Sequence, residues 1–147
     1  MLKVIFLSIV IFILCSTDGT THDPEFEKEY QVTHIKEGDG KTFPKKEDNV
    51  FINYTGTLLN GKKFDSSFDR NKPFEFKLGL GHVIRCWDIV VARLSLGEKI
   101  KVVCPYRLAY GQRGIGTLIP PKSDLIFEME LIKIDRNEEN NEQNNEL

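Results

Sequence analysis

Between residues 50 and 131 the chain repeats one pattern, apolar and polar side chains in alternation, and breaks it once. Val50, Ile52 and Tyr54 share one face of their segment, and in Phe74-Glu75-Phe76-Lys77-Leu78 the apolar residues alternate with charges. Ile100-Lys101-Val102 and the series Leu125, Phe127, Met129, Leu131 do the same. A period of two marks half-buried antiparallel strands. The break is Ile84, Trp87, Val91 and Leu94, whose spacing predicts one amphipathic helix over 84–94, led in by Gly79-Leu80-Gly81 and stopped by Gly97. One short helix among several antiparallel strands predicts an α+β domain with the helix covering one sheet face. Asp39-Gly40 and Asn60-Gly61 are turn dipeptides. The stretch Pro105–Ser123 holds Gly111, Gly114 and Gly116 and ends in Pro120-Pro121, which reads as a packed functional loop.

The ends do not read as core. Lys3 precedes an apolar run, Val4 to Leu14, too short to span a bilayer. Residues 1–19 are therefore read as a signal peptide in preference to a membrane anchor. Residues 20–29 are a polar linker, 30–134 the folded domain, and 135–147 an acidic Asn/Glu-rich tail expected to be disordered. The formal net charge of −2, with no basic stripe, argues against nucleic acid as a partner. Cys15 falls in the leader. Cys86 and Cys104 are read either as a disulfide or as two buried thiols, because pairing depends on a Cα separation that only the fold supplies.

Several segments, in this order and spacing, resemble the FKBP immunophilins. They include Tyr54-Thr55-Gly56, Lys63-Phe64-Asp65-Ser66, Asp69-Arg70, Val83-Ile84-Arg85 and Trp87-Asp88. Leu96-Gly97-Glu98, Ala109-Tyr110-Gly111, Ile119-Pro120-Pro121 and Leu125-Ile126-Phe127-Glu128 continue the likeness, which covers about residues 31 to 134. It implies a twisted antiparallel sheet of five to six strands wrapped around the helix, and an apolar pocket between them. By motif position, Trp87 would be the floor. Tyr54, Phe64, Phe74, Val83, Ile84 and Phe127 would be walls, joined by Leu118 and Ile119. Asp65, Tyr110 and Arg70 would be polar members, and the Ile84 N–H a donor to substrate. Phe76 and Met129 are left as core. Taken alone, Trp87 reads as core, Asp65 as a turn residue, and Arg70 as a surface charge or a partner holding Asp65.

The activity implied is peptidyl-prolyl cis-trans isomerisation, assisting folding in the secretory pathway, without cofactor or metal. The alternative is an FKBP-fold binding module with little turnover. Implied partners are proline-containing peptides and folding proteins, together with macrolides of the tacrolimus and rapamycin type. No membrane partner is expected after leader cleavage, and a monomer is the default. The last residues, Asn144-Asn145-Glu146-Leu147, resemble retrieval tetrapeptides, so the endoplasmic reticulum lumen or secretion is expected. Cys86 and Val90 stand where the family favours glycine; both gain helix propensity, and a shift of the helix against the sheet at these positions would move Trp87. Ile115 and Tyr106-Arg107-Leu108 also depart from the usual wording. Asn53-Tyr54-Thr55 is a glycosylation sequon within a strand, where no glycan is expected.

Overall fold

The computed structural model describes residues 30–136. The expected segments 1–19 and 20–29, and the tail beyond residue 136, lie outside the described residues. Six strands and one helix follow in order: β1 (Gln31–Lys36), β2 (Asn49–Leu58), β3 (Lys63–Ser66), β4 (Phe74–Lys77), α1 (Arg85–Val91), β5 (Lys99–Cys104) and β6 (Leu125–Asp135). They form one antiparallel sheet in the order β1-β5-β6-β2-β3, with β4 also paired to β2. This is the expected α+β architecture.

The alternation explains the layering. In β2 every second residue from Val50 is buried. Across the β2–β6 ladder Ile52 faces Leu131, Tyr54 faces Met129 and Gly56 faces Phe127. Across β5–β6 Ile100 faces Met129, Val102 faces Phe127 and Cys104 faces Leu125. All these apolar side chains point to one sheet face, and α1 covers it with Cys86, Trp87, Val90 and Val91, each buried. Phe76 and Met129 belong to this core. Fully burying a Val, Leu, Ile, Phe or Met side chain contributes roughly 1.5–3 kcal/mol, so the layer between sheet and helix is the main stabilising unit.

The helix is shorter than the stripe suggested. It ends at Val91, and the Arg93 and Leu94 N–H groups donate to Val90 and Val91 carbonyls three residues back, at 3.0 and 3.1 Å. The next donors are claimed from outside the helix: Ser95 N–H by the Glu98 carboxylate at 2.9 Å and Leu96 N–H by the Thr42 carbonyl at 2.8 Å. Leu94 stays on the buried side, so the apolar stripe outlasts the regular helix. Gly97 therefore lies in the turn to β5 and does not cap α1; its N–H donates to the Leu131 carbonyl.

Cys86 and Cys104 form a disulfide across 5.9 Å of Cα separation, which ties the first turn of α1 to the end of β5. Both cysteines are fully buried. The Cys86 side chain is taken up by the bond to β5, and that of Val90 packs into the core. The long loop contains a short 3-10 turn at Tyr106–Leu108 and an isolated bridge between Ile115 and Ile119.

Candidate functional site

Trp87 ends up beneath an aromatic box. Its ring meets Tyr54, Phe127 and Phe74 edge to face, with centroids 4.8, 5.2 and 5.8 Å away, the geometry that aromatic quadrupoles favour. Phe64 stands edge-on to Phe127 at 5.7 Å. The box exists because Gly56 has no side chain. A Cβ there would lie 2.6 Å from the Phe64 ring and 3.0 Å from Phe127. Above Trp87 opens a cavity of about 240 Å³, walled by Phe64, Phe74, Phe127 and the pair Val83-Ile84, with Tyr54, Asp65, Tyr110 and His82 as its polar members. The Trp87 Nε1–H is buried and has no hydrogen-bond partner among the described residues.

The polar side of the box is internally wired. The β2–β3 hairpin sets Asp65 opposite Gly56, and the 3-10 turn Phe68–Arg70 carries Arg70 back toward it. Tyr54 O–H donates to Asp65 Oδ2, and Arg70 Nη1 donates to Asp65 Oδ1. Arg70 Nη2 donates to the Tyr54 hydroxyl at 2.9 Å, and Ser66 N–H donates to Asp65 Oδ1 at 2.8 Å. Burial alone would raise the Asp65 carboxyl, but the hydrogen bonds from Tyr54 and Arg70 and the guanidinium charge outweigh it and hold it below the ordinary carboxylate value. Tyr54 is pushed up to about 12, first by burial and then by its bond to the Asp65 carboxylate. Burial, with the Asp65 charge second, also raises Tyr110.

These shifts fix the sign of a pH effect. Tyr54 is raised in the fold, so its contribution is complete below pH 10.0 and is lost as pH climbs toward about 12. Asp65 is lowered, so its contribution is present above 3.8 and is lost as pH falls through the smaller folded value. The urea midpoint of the wild type should therefore fall more steeply between pH 10 and 12 than that of Tyr54→Phe. The same slope in both proteins would refute this assignment.

Of the residues expected at the site, Tyr54, Phe64, Asp65, Phe74, Val83, Ile84, Trp87, Tyr110 and Phe127 surround this one cavity. Arg70 is not on its wall; it acts on the site through Asp65 and Tyr54. Leu118 and Ile119 also lie outside the wall. Ile119 is drawn into the core by the Ile115–Ile119 bridge, which turns Leu118 out to solvent. Ile84 caps α1 in an extended conformation, and an N–H at a helix start has no intrahelical acceptor.

Asp88, on α1, accepts the N–H groups of Gly79 at 2.9 Å and Gly81 at 3.0 Å on its two carboxylate oxygens. Both glycines have positive φ, which points their N–H groups at one acceptor. This clamp sets the position of His82-Val83-Ile84, and with them His82, a wall residue the sequence reading did not single out. Its only sequence signal is that it precedes Ile84 by two, just after the Gly79-Leu80-Gly81 stretch. Asn53 is half-buried on the opposite face of β2, beside Glu130, and its amide oxygen accepts from the Ser67 hydroxyl at 3.4 Å. A larger cavity, about 330 Å³, lies between β1 and α1 and contains none of the expected site residues.

An α+β domain with an aromatic cavity, whose one carboxylate is already paired, is built to take an apolar ring and offer a few hydrogen bonds around it. The chain belongs to the FKBP-type peptidyl-prolyl cis-trans isomerase family, whose sequence pattern matches residues 40–132. Among its relatives are "Peptidyl-prolyl cis-trans isomerase Fkbp12" of Drosophila melanogaster, 53% identical over 105 residues, 71% of this chain and 97% of the relative. "FK506-binding protein 1" of Saccharomyces cerevisiae is 51% identical over 108 residues, 74% of this chain and 95% of the relative. "Peptidyl-prolyl cis-trans isomerase FKBP1A" of Xenopus laevis is 50% identical over 105 residues, 71% of this chain and 97% of the relative.

Proposed function

We propose that this chain accelerates rotation about X–Pro bonds in proteins folding in the secretory pathway, and that macrolides of the tacrolimus and rapamycin type compete for the same cavity. The observation that carries the reading is the aromatic cavity over Trp87 with its carboxylate already hydrogen-bonded by Arg70 and Tyr54. Resonance keeps the X–Pro amide planar behind a barrier of about 18–20 kcal/mol, and uncatalysed rotation takes tens to hundreds of seconds. No covalent bond breaks, so the reaction needs no nucleophile, metal or cofactor.

The planar amide is more dipolar than the twisted one. Walls of Phe64, Phe74, Ile84 and Phe127 solvate the twisted state better than the planar one, and that difference accelerates the reaction. Trp87 supports the prolyl ring so that only one bond turns. The Ile84 N–H and the Tyr110 hydroxyl are the donors that hold the flanking carbonyls. Asp65, held charged by its partners on the cavity wall, is the group that would favour the positive character the carbonyl carbon gains on twisting.

The compartment is part of the proposal. A disulfide between two fully buried cysteines fits an oxidising lumen better than a reducing cytosol. Fractionation of cells expressing the full chain should find it with lumenal proteins, and a cytosolic protein would end that reading. For the activity, the purified protein and a Leu-Pro peptide should show isomerisation that rapamycin abolishes. Drug binding without turnover would make it a binding module, and the absence of both binding and turnover would overturn the proposal.

A further inference from the structure

The hydrogen-bonding capacity of the cavity wall is unevenly used. Asp65 accepts from Tyr54, Arg70 and Ser66, and the Tyr54 hydroxyl is taken by Asp65 and Arg70. Besides the buried Trp87 Nε1–H, Tyr110 and His82 are the side chains on the wall with polar atoms and no intramolecular hydrogen bond among the described residues. The Tyr110 hydroxyl has its role in the reading above. His82 has none.

His82 is also held in place. The Asp88 clamp on Gly79 and Gly81 fixes the chain immediately before it, and Val83-Ile84 immediately after it form the wall. Ile84 has extended backbone, φ −58° and ψ 145°. His82 precedes it by two residues, through a bend, and stands on the wall of the same cavity, within the stretch that flanks a bound peptide whose backbone meets the Ile84 N–H. An imidazole carries an N–H donor whether it is neutral or protonated. The carboxylate on this wall and the one that clamps the glycines do not oppose an acceptor: Asp65 is paired with Arg70, and Asp88 is turned onto the two glycine N–H groups.

We propose that His82 is a specificity-determining residue, hydrogen-bonding the carboxylate or amide side chain of an Asp, Glu, Asn or Gln next to the substrate proline. The inference rests on the isomerase reading and names a substrate class for it. A short acceptor side chain at that position completes the free donor of His82. An apolar side chain there displaces water from the imidazole without replacing the hydrogen bond.

The test is a panel of peptides followed by exchange NMR with the full protein. One series varies the residue before proline and one the residue after it, each as Leu, Gln and Glu. In one series the kcat/KM ratio of Glu or Gln over Leu should fall about three- to tenfold in His82→Ala, the size of one exposed hydrogen bond. It should recover in His82→Gln, which keeps a donor at similar reach. A merely structural role would lower all peptides together and leave the ratio alone. Ratios within about twofold of each other in all three proteins and both series would overturn the proposal. If the wild type accelerates no peptide, the isomerase reading fails separately, and peptide Kd ratios from the same titrations decide the role of His82.

Discussion

Trp87→Ala should lower kcat/KM for X–Pro isomerisation by about tenfold or more, because pocket contacts of only a methylene or two are worth about 1–3 kcal/mol of discrimination. Trp87 is 4% exposed and in edge-to-face contact with Tyr54, Phe74 and Phe127, so its removal leaves three rings without their common partner. Truncating a buried tryptophan costs about 3–5 kcal/mol, a large part of the 5–15 kcal/mol that holds a typical domain together. Trp87→Phe separates the two effects. It keeps an edge-to-face ring and also removes the buried Nε1–H that has no partner, so its stability loss should be nearer 1 kcal/mol. Activity of the folded phenylalanine variant then reports on the floor itself. Wild-type turnover in the alanine variant would show that the ring stabilises the domain without serving the reaction.

The second large effect concerns the bond from Cys86 to Cys104. It closes a separation of 18 residues, for which chain-entropy estimates give about 3 kcal/mol. The double variant Cys86→Ala/Cys104→Ala should unfold about 12–24 °C lower, at about 4–8 °C per kcal/mol for a domain of this size. Because both cysteines are fully buried, a dithiol reductant added to the native wild type should leave its melting curve unchanged until unfolding exposes them. Thermal unfolding by circular dichroism, with and without reductant, checks both statements. A double variant melting within about 3 °C of the wild type would remove the disulfide from the list of stabilising features.

Residues that face a core on both sides of a ladder were easy to read. Val50, Ile52 and Tyr54 in β2, and Leu125 to Leu131 in β6, alternate because one sheet face is buried under α1. β1 was not legible, since it lies at the sheet edge and all six of its residues are exposed. β3 is only four residues long, with a single fully buried position. The helix stripe was plain, but its end is set by Glu98 and Thr42, acceptors that no local pattern announces.

The site divides along similar lines. Alternation marks Phe74 and Phe127 as buried, while nothing in it says that they enclose a space. That depends on the missing Cβ of Gly56, and only the family resemblance pointed to a pocket. Within the long loop, a bridge decides that Ile119 turns in and Leu118 turns out, and loops carry no periodicity from which to predict it. Cysteine pairing needed a distance. His82 beside a pair of glycines looks like an ordinary loop residue until the Asp88 clamp is seen.

Three consecutive residues of α1 each serve a different part of the molecule: Cys86 is bonded to β5, Trp87 lies under the cavity, and Asp88 holds the glycine loop. Successive positions on a helix are about 100° apart, so one inserted or deleted residue ahead of this triplet would rotate all three off their targets together. The domain should therefore tolerate no length variation between residues 82 and 88, whereas the exposed tip around Gly116 has room for it. Among the described residues, freedom to gain or lose residues is smallest at the start of α1.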